Sequence, residues 1–94
     1  MQFKKVNKGG VSRDDGVSIQ ITHPEYLEYR DGDCSVNISM DYDPATRKIT
    51  VYASQVDTWK VSQVTVSMPQ SCQLQMIKDL EEGLALLNGN FVVV

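Results

Sequence analysis

The stretch SMPQSCQLQMIKDLEEGLALLNG, residues 67–89, is the one long segment of this chain with a helical period and recognisable ends. Its apolar residues recur at three- and four-residue spacing, which places them on one face of a helix. They are Ile77, Leu80, Leu84 and Leu87, with Met76 and Leu86 off this stripe. The charged residues expected on the opposite, solvent-facing side are Lys78, Asp79 and Glu82.

Two local patterns mark the ends of this predicted helix. Ser67-x-x-Gln70 fits a capping box, in which two side chains satisfy backbone N–H groups at a helix start. Pro69 is tolerated in a first turn. Asn88-Gly89 is typical of a helix end.

The residues before this segment alternate between apolar and polar, which is typical of strands in an antiparallel sheet. The alternation is clearest over residues 34–41, and Asp31-Gly32-Asp33 before it predicts a hairpin turn. Further strands are predicted at residues 17–22, 26–30, 49–54 and 64–66. Residues 55–62 are expected to form a loop, and the apolar residues 90–94 to form a short terminal strand.

Together these elements predict one α+β domain over residues 1–94. It is an antiparallel β-meander of about five to six strands with one long C-terminal helix packed on one face and a short terminal strand. Residues 1–16 are predicted to be a short first strand or a mobile arm, followed by an exposed loop between two turns. The sheet face away from the helix is expected to be open and polar, with Ser18, Gln20, Thr22, Ser35, Asn37, Ser39, Thr50 and Tyr52.

Charge is unevenly distributed along the chain. Residues 1–13 carry four basic residues and no acid, whereas residues 14–94 carry five basic and all 12 acidic residues, a net −7. An acidic body argues against general nucleic-acid binding and is compatible with a basic protein partner. No apolar run is long enough for a membrane span and no signal peptide is evident, so we expect a cytoplasmic protein with no membrane partner.

The residues able to do chemistry are few. Cys34 and Cys72 are expected to be free, half-buried thiols in a reducing compartment, and His23 is expected to be a turn residue. The acidic turns lack the ligand spacing of a calcium loop. The sequence therefore predicts no catalytic residue, no metal and no cofactor.

Trp59 lies in the predicted 55–62 loop, where it either plugs the edge of the core or acts as a contact anchor. Tyr52, on the polar sheet face, is the best contact candidate among the four tyrosines. The sequence leaves both alternatives open for Trp59.

Several features follow one another in a characteristic order: Ser12-Arg13, Ile21-Thr22, Tyr29 with Asp31-Gly32, a Ser-rich strand, Ile49 to Tyr52, Trp59, the Ile77-to-Leu87 helix, Gly89 and an apolar terminus. Over residues 12–94 this order resembles the immunity protein 74 family of bacterial polymorphic-toxin systems. Asp41 stands where members often carry an acid, whereas their proline-rich stretch after the tryptophan has no counterpart in Lys60-Val61-Ser62-Gln63.

The resemblance implies a small α+β protein, encoded beside a toxin gene, that binds and neutralises a cognate toxin. Many such toxins attack nucleic acid and are basic, so an acidic partner would associate fast and occlude a cationic groove. The residues expected on or near the binding surface are Asp31, Asp33, Asp41, Asp43, Tyr52, Asp57 and Trp59.

Two other classes of function stay open at this point. A structural or regulatory domain would self-associate, as a possible homodimer, through its polar sheet face or residues 90–94. A small enzyme would use Cys72 or His23 in a cleft that perturbs the thiol or the imidazole. The binding module ranks first and the enzyme last.

Overall fold

The computed structural model describes residues 2–94, which form a curled β-sheet with one long helix packed against it. The strands are β1 (Lys4–Asn7), β2 (Gly10–Ser12), β3 (Val17–His23), β4 (Tyr26–Asp31), β5 (Cys34–Asp43), β6 (Lys48–Val51), β7 (Thr58–Val61), β8 (Val64–Ser67) and β9 (Asn90–Val93). The helix α1 spans Gln70–Leu84, and a short 3-10 helix covers Ala53–Gln55. The α+β fold predicted from the sequence is confirmed.

The main path of the sheet runs β1-β2-β3-β4-β5-β6-β9, and the β7–β8 hairpin joins it through the start of β5. Neighbouring strands are antiparallel except β9, which pairs parallel with β6. The parallel pairing arises because α1 lies between these strands in sequence and carries the chain back to the same end of the sheet. β7 lies where we expected a loop, since its four residues are too short for the alternation to stand out.

The sheet splits beside β5. One edge of β5 pairs with β7 only at Cys34 and Ser35 and with β6 only at residues 40–43. Between these two contacts residues 36–39 have no strand partner on that side, and the chain crosses the gap through residues 53–57. Gln73 on α1 holds the crossing chain in place, because its Nε2 donates to Ser54 O at 3.2 Å and to Val56 O at 2.7 Å.

The core lies between the concave face of the sheet and α1. Ile19, Leu27, Ile38 and Val51 from four strands are fully buried there. The alternation of apolar and polar residues predicted this for Ile19, Ile38 and Val51. The helix contributes Met76, Leu80 and Leu84. Met76 therefore belongs to the buried face and not outside it, whereas Leu86 is 44% exposed.

The helix is shorter than predicted, by two residues at its start and by three or more at its end. Ser67 is the last residue of β8 and pairs with Thr58, so its backbone belongs to a strand and not to a capping box. The helix begins after Pro69, whose ψ of 147° is extended, and no side chain caps it. It ends at Leu84, before Asn88-Gly89, and Leu86 and Leu87 continue in tight turns that donate to Gly83 O and Leu84 O.

The N-terminal residues are part of the sheet. β1 and β2 form a hairpin that pairs with β3, with Gly10 opposite Gln20. Val11 was expected in an exposed loop, but it lies in β2 and is 1% exposed. Phe3 is also buried, so these residues complete one end of the core.

Candidate functional site

The convex face of the sheet, away from α1, carries a shallow groove over the split beside β5. We call it the outer groove. It consists of two adjoining depressions of about 220 Å³ each that share Val36, Asn37 and Thr58. The groove exists because β6 and β7 diverge from β5 on this side and leave the middle of β5 without a strand neighbour.

The first depression lies between β4, β5 and the β7–β8 hairpin. Its walls are polar, with Glu28, Ser35, Lys60 and Thr65 from four adjacent strands. Trp59 also lines it, although this side chain is only 9% exposed and belongs to the core. Trp59 therefore plugs the core and presents its remaining surface to the groove. The sequence left these two roles as alternatives.

The second depression lies between β5 and the crossing chain. It is lined by Ser39, Tyr52 and Asp57 among others. The hydroxyl of Tyr52 donates to Asp41 Oδ2 at 2.7 Å. This hydrogen bond, assisted by partial desolvation, raises the pKa of Tyr52 above its ordinary value of 10.0. Tyr52, Asp41 and Asp57 thus lie together at the second depression, and with Trp59 they are the four predicted site residues at the outer groove.

Asp31 and Asp33 lie elsewhere, at the β4–β5 turn. The N–H of Gly32 donates to Gly16 O at 3.2 Å and joins this turn to the β2–β3 turn, which carries Asp14 and Asp15. The two turns therefore form an acidic end of the sheet, a grouping that residue spacing in the sequence does not reveal.

Within the acidic end, Asp15 forms a salt bridge with a neighbouring arginine. Arg13 Nε donates to Asp15 Oδ1 at 2.9 Å, and this contact lowers the pKa of Asp15 below its ordinary value. Asp14, Asp31 and Asp33 have no salt bridge among residues 2–94. The acidic end is therefore a surface of exposed carboxylates with one internal ion pair.

Asp43 stands at the far end of β5, opposite Lys48, and its Oδ1 accepts from the N–H of Ala45. Cys34 and Asp43, the two ends of β5, are about 30 Å apart along the strand at about 3.3 Å per residue. The seven residues predicted on the binding surface therefore fall into three places: the outer groove, the acidic end and the β5–β6 turn.

One carboxylate was placed wrongly by the sequence. Asp79, expected on the exposed side of the helix, is fully buried. Its Oδ1 accepts from Arg13 Nη1 at 2.9 Å and from Gln75 Nε2 at 3.0 Å, and its Oδ2 accepts from the Tyr29 hydroxyl at 2.7 Å. Burial and the hydrogen bond to Asp79 raise the pKa of Tyr29 far above 10.0.

This buried cluster joins three elements, because Arg13 follows β2, Tyr29 lies on β4 and Asp79 on α1. The Arg13 guanidinium also lies 4.8 Å from the centre of the Phe3 ring, a cation–π contact. None of the described depressions is lined by Asp79, Arg13 or Tyr29. The cluster can therefore fix the helix on the sheet.

The two cysteines are free and half-buried, as expected. Burial, with the nearby carboxylates of Asp31 and Asp33, raises the pKa of the Cys34 thiol. His23 stacks on Tyr26 with ring centres 4.7 Å apart, and its Nδ1 accepts from the Glu25 N–H. Since Cys34 pairs with one end of β4 and His23 with the other, the fold does not bring this thiol and the imidazole together.

Comparison of the chain with family models, with curated proteins and with solved structures gave no match. Within residues 2–94 no helix is both long and apolar enough to cross a membrane. The same residues contain no group of three or more His, Cys, Asp or Glu side chains arranged to hold a metal ion. The resemblance to an immunity family therefore stays a prediction.

Proposed function

We propose that this chain is an immunity-type binding protein that neutralises a basic, nucleic-acid-attacking protein toxin in the cytoplasm by occluding its functional surface. The outer groove makes the contact. The acidic end steers the encounter. No step of this function requires chemistry from the chain itself.

The observation that carries the proposal is the grouping of Tyr52, Asp41 and Asp57 at the outer groove. A tyrosine beside exposed carboxylates suits a cationic partner, because the ring supplies contact area while the carboxylates accept charge-assisted hydrogen bonds. Trp59 limits the flexibility of the groove, since most of its side chain is fixed in the core. A preorganised surface loses less entropy on binding than a flexible one.

Long-range attraction supports the same partner. Nine of the 12 acidic residues lack a salt bridge among residues 2–94, since only Asp15, Asp79 and Glu28 have one. Unpaired exposed carboxylates extend a negative field that raises the association rate of a basic protein and falls steeply with salt.

The first experiment captures partners of the chain from the cells that make it, at low salt and at roughly 0.5 M salt, where the Debye length falls to a few Å. We expect one stoichiometric basic protein whose recovery drops in high salt, and whose toxicity is suppressed when this chain is co-expressed. Recovery of the bait alone under both conditions would contradict the proposal.

A charge-matched pair of variants then tests the groove. Asp41→Asn with Asp57→Asn is expected to weaken toxin binding at least about tenfold and to reduce protection. Glu81→Gln with Glu82→Gln removes the same charge from exposed positions on α1 and is expected to preserve both. If the two double variants lose binding and protection equally, net charge is the cause and the groove has no specific role.

A further inference from the structure

A second surface of the molecule has the opposite electrostatic character. Residues 61–77 contain no charged residue, and this is the longest uncharged interval of the chain. Residues 62–67 within it are all exposed. Depletion of charge is the compositional signal of the centre of a protein interface. The interval covers the turn and second strand of the β7–β8 hairpin and the start of α1.

The strand β8 is also an open sheet edge, because among residues 2–94 it pairs only with β7. Val64 is 62% exposed and Val66 38% exposed on the side that Trp59 shares. The edge strand β1, by contrast, carries Lys4 and Lys5. Lysines on an edge strand discourage pairing with another chain, and an uncharged edge lacks this protection.

The backbone groups of β8 alternate between β7 and the open edge. In the two-residue hairpin loop Ser62-Gln63, Val61 and Val64 form the closing pair. The N–H of Met68 donates to Asp57 O at 2.8 Å, four residues along each strand from the closing pair. This bond fits an alternation in which every second pair is hydrogen-bonded. The N–H and C=O groups of Thr65 and Ser67 therefore point away from β7, to the open edge.

We propose that β8 pairs antiparallel with β8 of a second copy of this chain, across a two-fold axis at Thr65. In this register Thr65 lies opposite Thr65 of the second copy, and the two residues exchange both backbone hydrogen bonds. Val64 then lies opposite Val66 of the second copy on the other face. Such β-branched cross-strand pairs are favourable.

The self-complementary register favours a second copy as the occupant, and the charge distribution is consistent with it. The chain has a net charge of −3 and its exposed carboxylates lie on other surfaces, so two copies repel through most approaches. The uncharged β8 edge is where they meet without placing like charges opposite each other. A basic partner is instead attracted to the acidic surfaces. The two interactions meet at Thr65, whose side chain lines the outer groove and whose backbone forms the pairing.

Sedimentation of the full chain up to about 1 mM tests the pairing at the concentrations at which a weak dimer forms. We expect the mass to rise with concentration from 10.5 kDa toward twice that value. Val64→Lys should raise the dimer dissociation constant at least about tenfold by placing a charge in the interface. Val6→Lys, at a position that is 58% exposed on β1, should leave it unchanged.

Cross-linking tests the register itself, in a Cys34→Ala/Cys72→Ala background whose folding is checked first. Thr65→Cys should form an intermolecular disulfide, since opposite residues of a hydrogen-bonded pair have Cα atoms about 5.5 Å apart. Ser67→Cys should not, because Ser67 lies opposite Gln63 of the second copy. A monomer at every concentration, equal effects of the two lysine variants, or equal cross-linking at both positions would overturn the proposal.

Discussion

Replacing Asp79 by alanine should be the most damaging single change in this domain. The substitution removes the acceptor for three side-chain donors, from Arg13, Tyr29 and Gln75, at a position with no exposed surface. The Tyr29 hydroxyl is then buried without a hydrogen-bond partner, and the only salt bridge left to Arg13 among residues 2–94 is the one with Asp15. Removing one member of a buried ion pair typically lowers the free energy of unfolding by about 3–5 kcal/mol.

A loss of that size is a large part of the total stability of a small domain, which is about 5–15 kcal/mol. Tyr29→Phe removes one hydrogen bond to a charged acceptor, so we expect a smaller loss, about 1.5–3 kcal/mol. Glu82→Gln, on the same helix but exposed, should change the free energy of unfolding by less than about 0.5 kcal/mol.

Urea unfolding followed by circular dichroism measures these differences. With an m-value of about 1–3 kcal/mol per M, the Asp79→Ala midpoint should fall by roughly 1–5 M relative to the native chain. The apolar triple variant Arg13→Met/Tyr29→Phe/Asp79→Leu should recover most of the loss, because no buried polar group is left unpaired. An Asp79→Ala variant within about 1 kcal/mol of the native chain would refute the idea that this cluster holds the helix on the sheet.

Three further predictions concern single contacts. Gln63 has a φ of 70°, a conformation that glycine adopts at lower cost than other residues. Gln63→Gly should therefore raise the free energy of unfolding by about 0.5–1 kcal/mol in the same urea assay. A lower free energy of unfolding would show that the side chain of Gln63 matters more than backbone strain. Asp41→Asn should move the pKa of Tyr52 down toward 10.0, measured on the ring signals of labelled tyrosine by NMR, and an unchanged pKa would remove the role of their hydrogen bond. Arg13 lowers the pKa of Asp15, so the stability from this pair is present above pH 3.8 and is lost as pH falls through the folded-state pKa. In Asp15→Asn the free energy of unfolding should therefore fall less steeply as the pH is lowered. An unchanged pH dependence would contradict a stabilising role of the Arg13–Asp15 pair.

The sequence predicted the elements whose residues alternate over many positions. β5 and β3 were found because one face of each strand is buried, which forces a two-residue period. β7 was missed because four residues give the pattern too little length. The false capping box has a different cause: Ser67-x-x-Gln70 satisfies the motif, but the backbone of Ser67 is already committed to its pairing with Thr58.

The site was less predictable than the fold, since it depends on contacts between distant residues. Tyr52 was predicted on the polar face and lines the outer groove, but its proximity to Asp57 follows from the split beside β5, which no local pattern encodes. The sequence did contain a signal for the burial of Asp79. It lies three residues after Met76 and four before Gly83, and both of these are buried, so it belongs to the buried arc once the small glycine is counted.

The two proposed interactions meet at Thr65, but they use different groups of the β7–β8 hairpin, so we expect little energetic coupling between them. Thr65 lines the outer groove with its side chain, but the proposed pairing uses its backbone, and Val64 points to the other face. Val64→Lys should therefore weaken dimerisation without weakening toxin binding, and Asp41→Asn with Asp57→Asn should do the reverse. Substitutions at residues that do not contact each other add within about 0.3–0.5 kcal/mol, so a combined variant should show the sum of the two effects. A larger coupling would mean that dimerisation completes the groove, since the two-fold axis at Thr65 brings the grooves of both copies edge to edge.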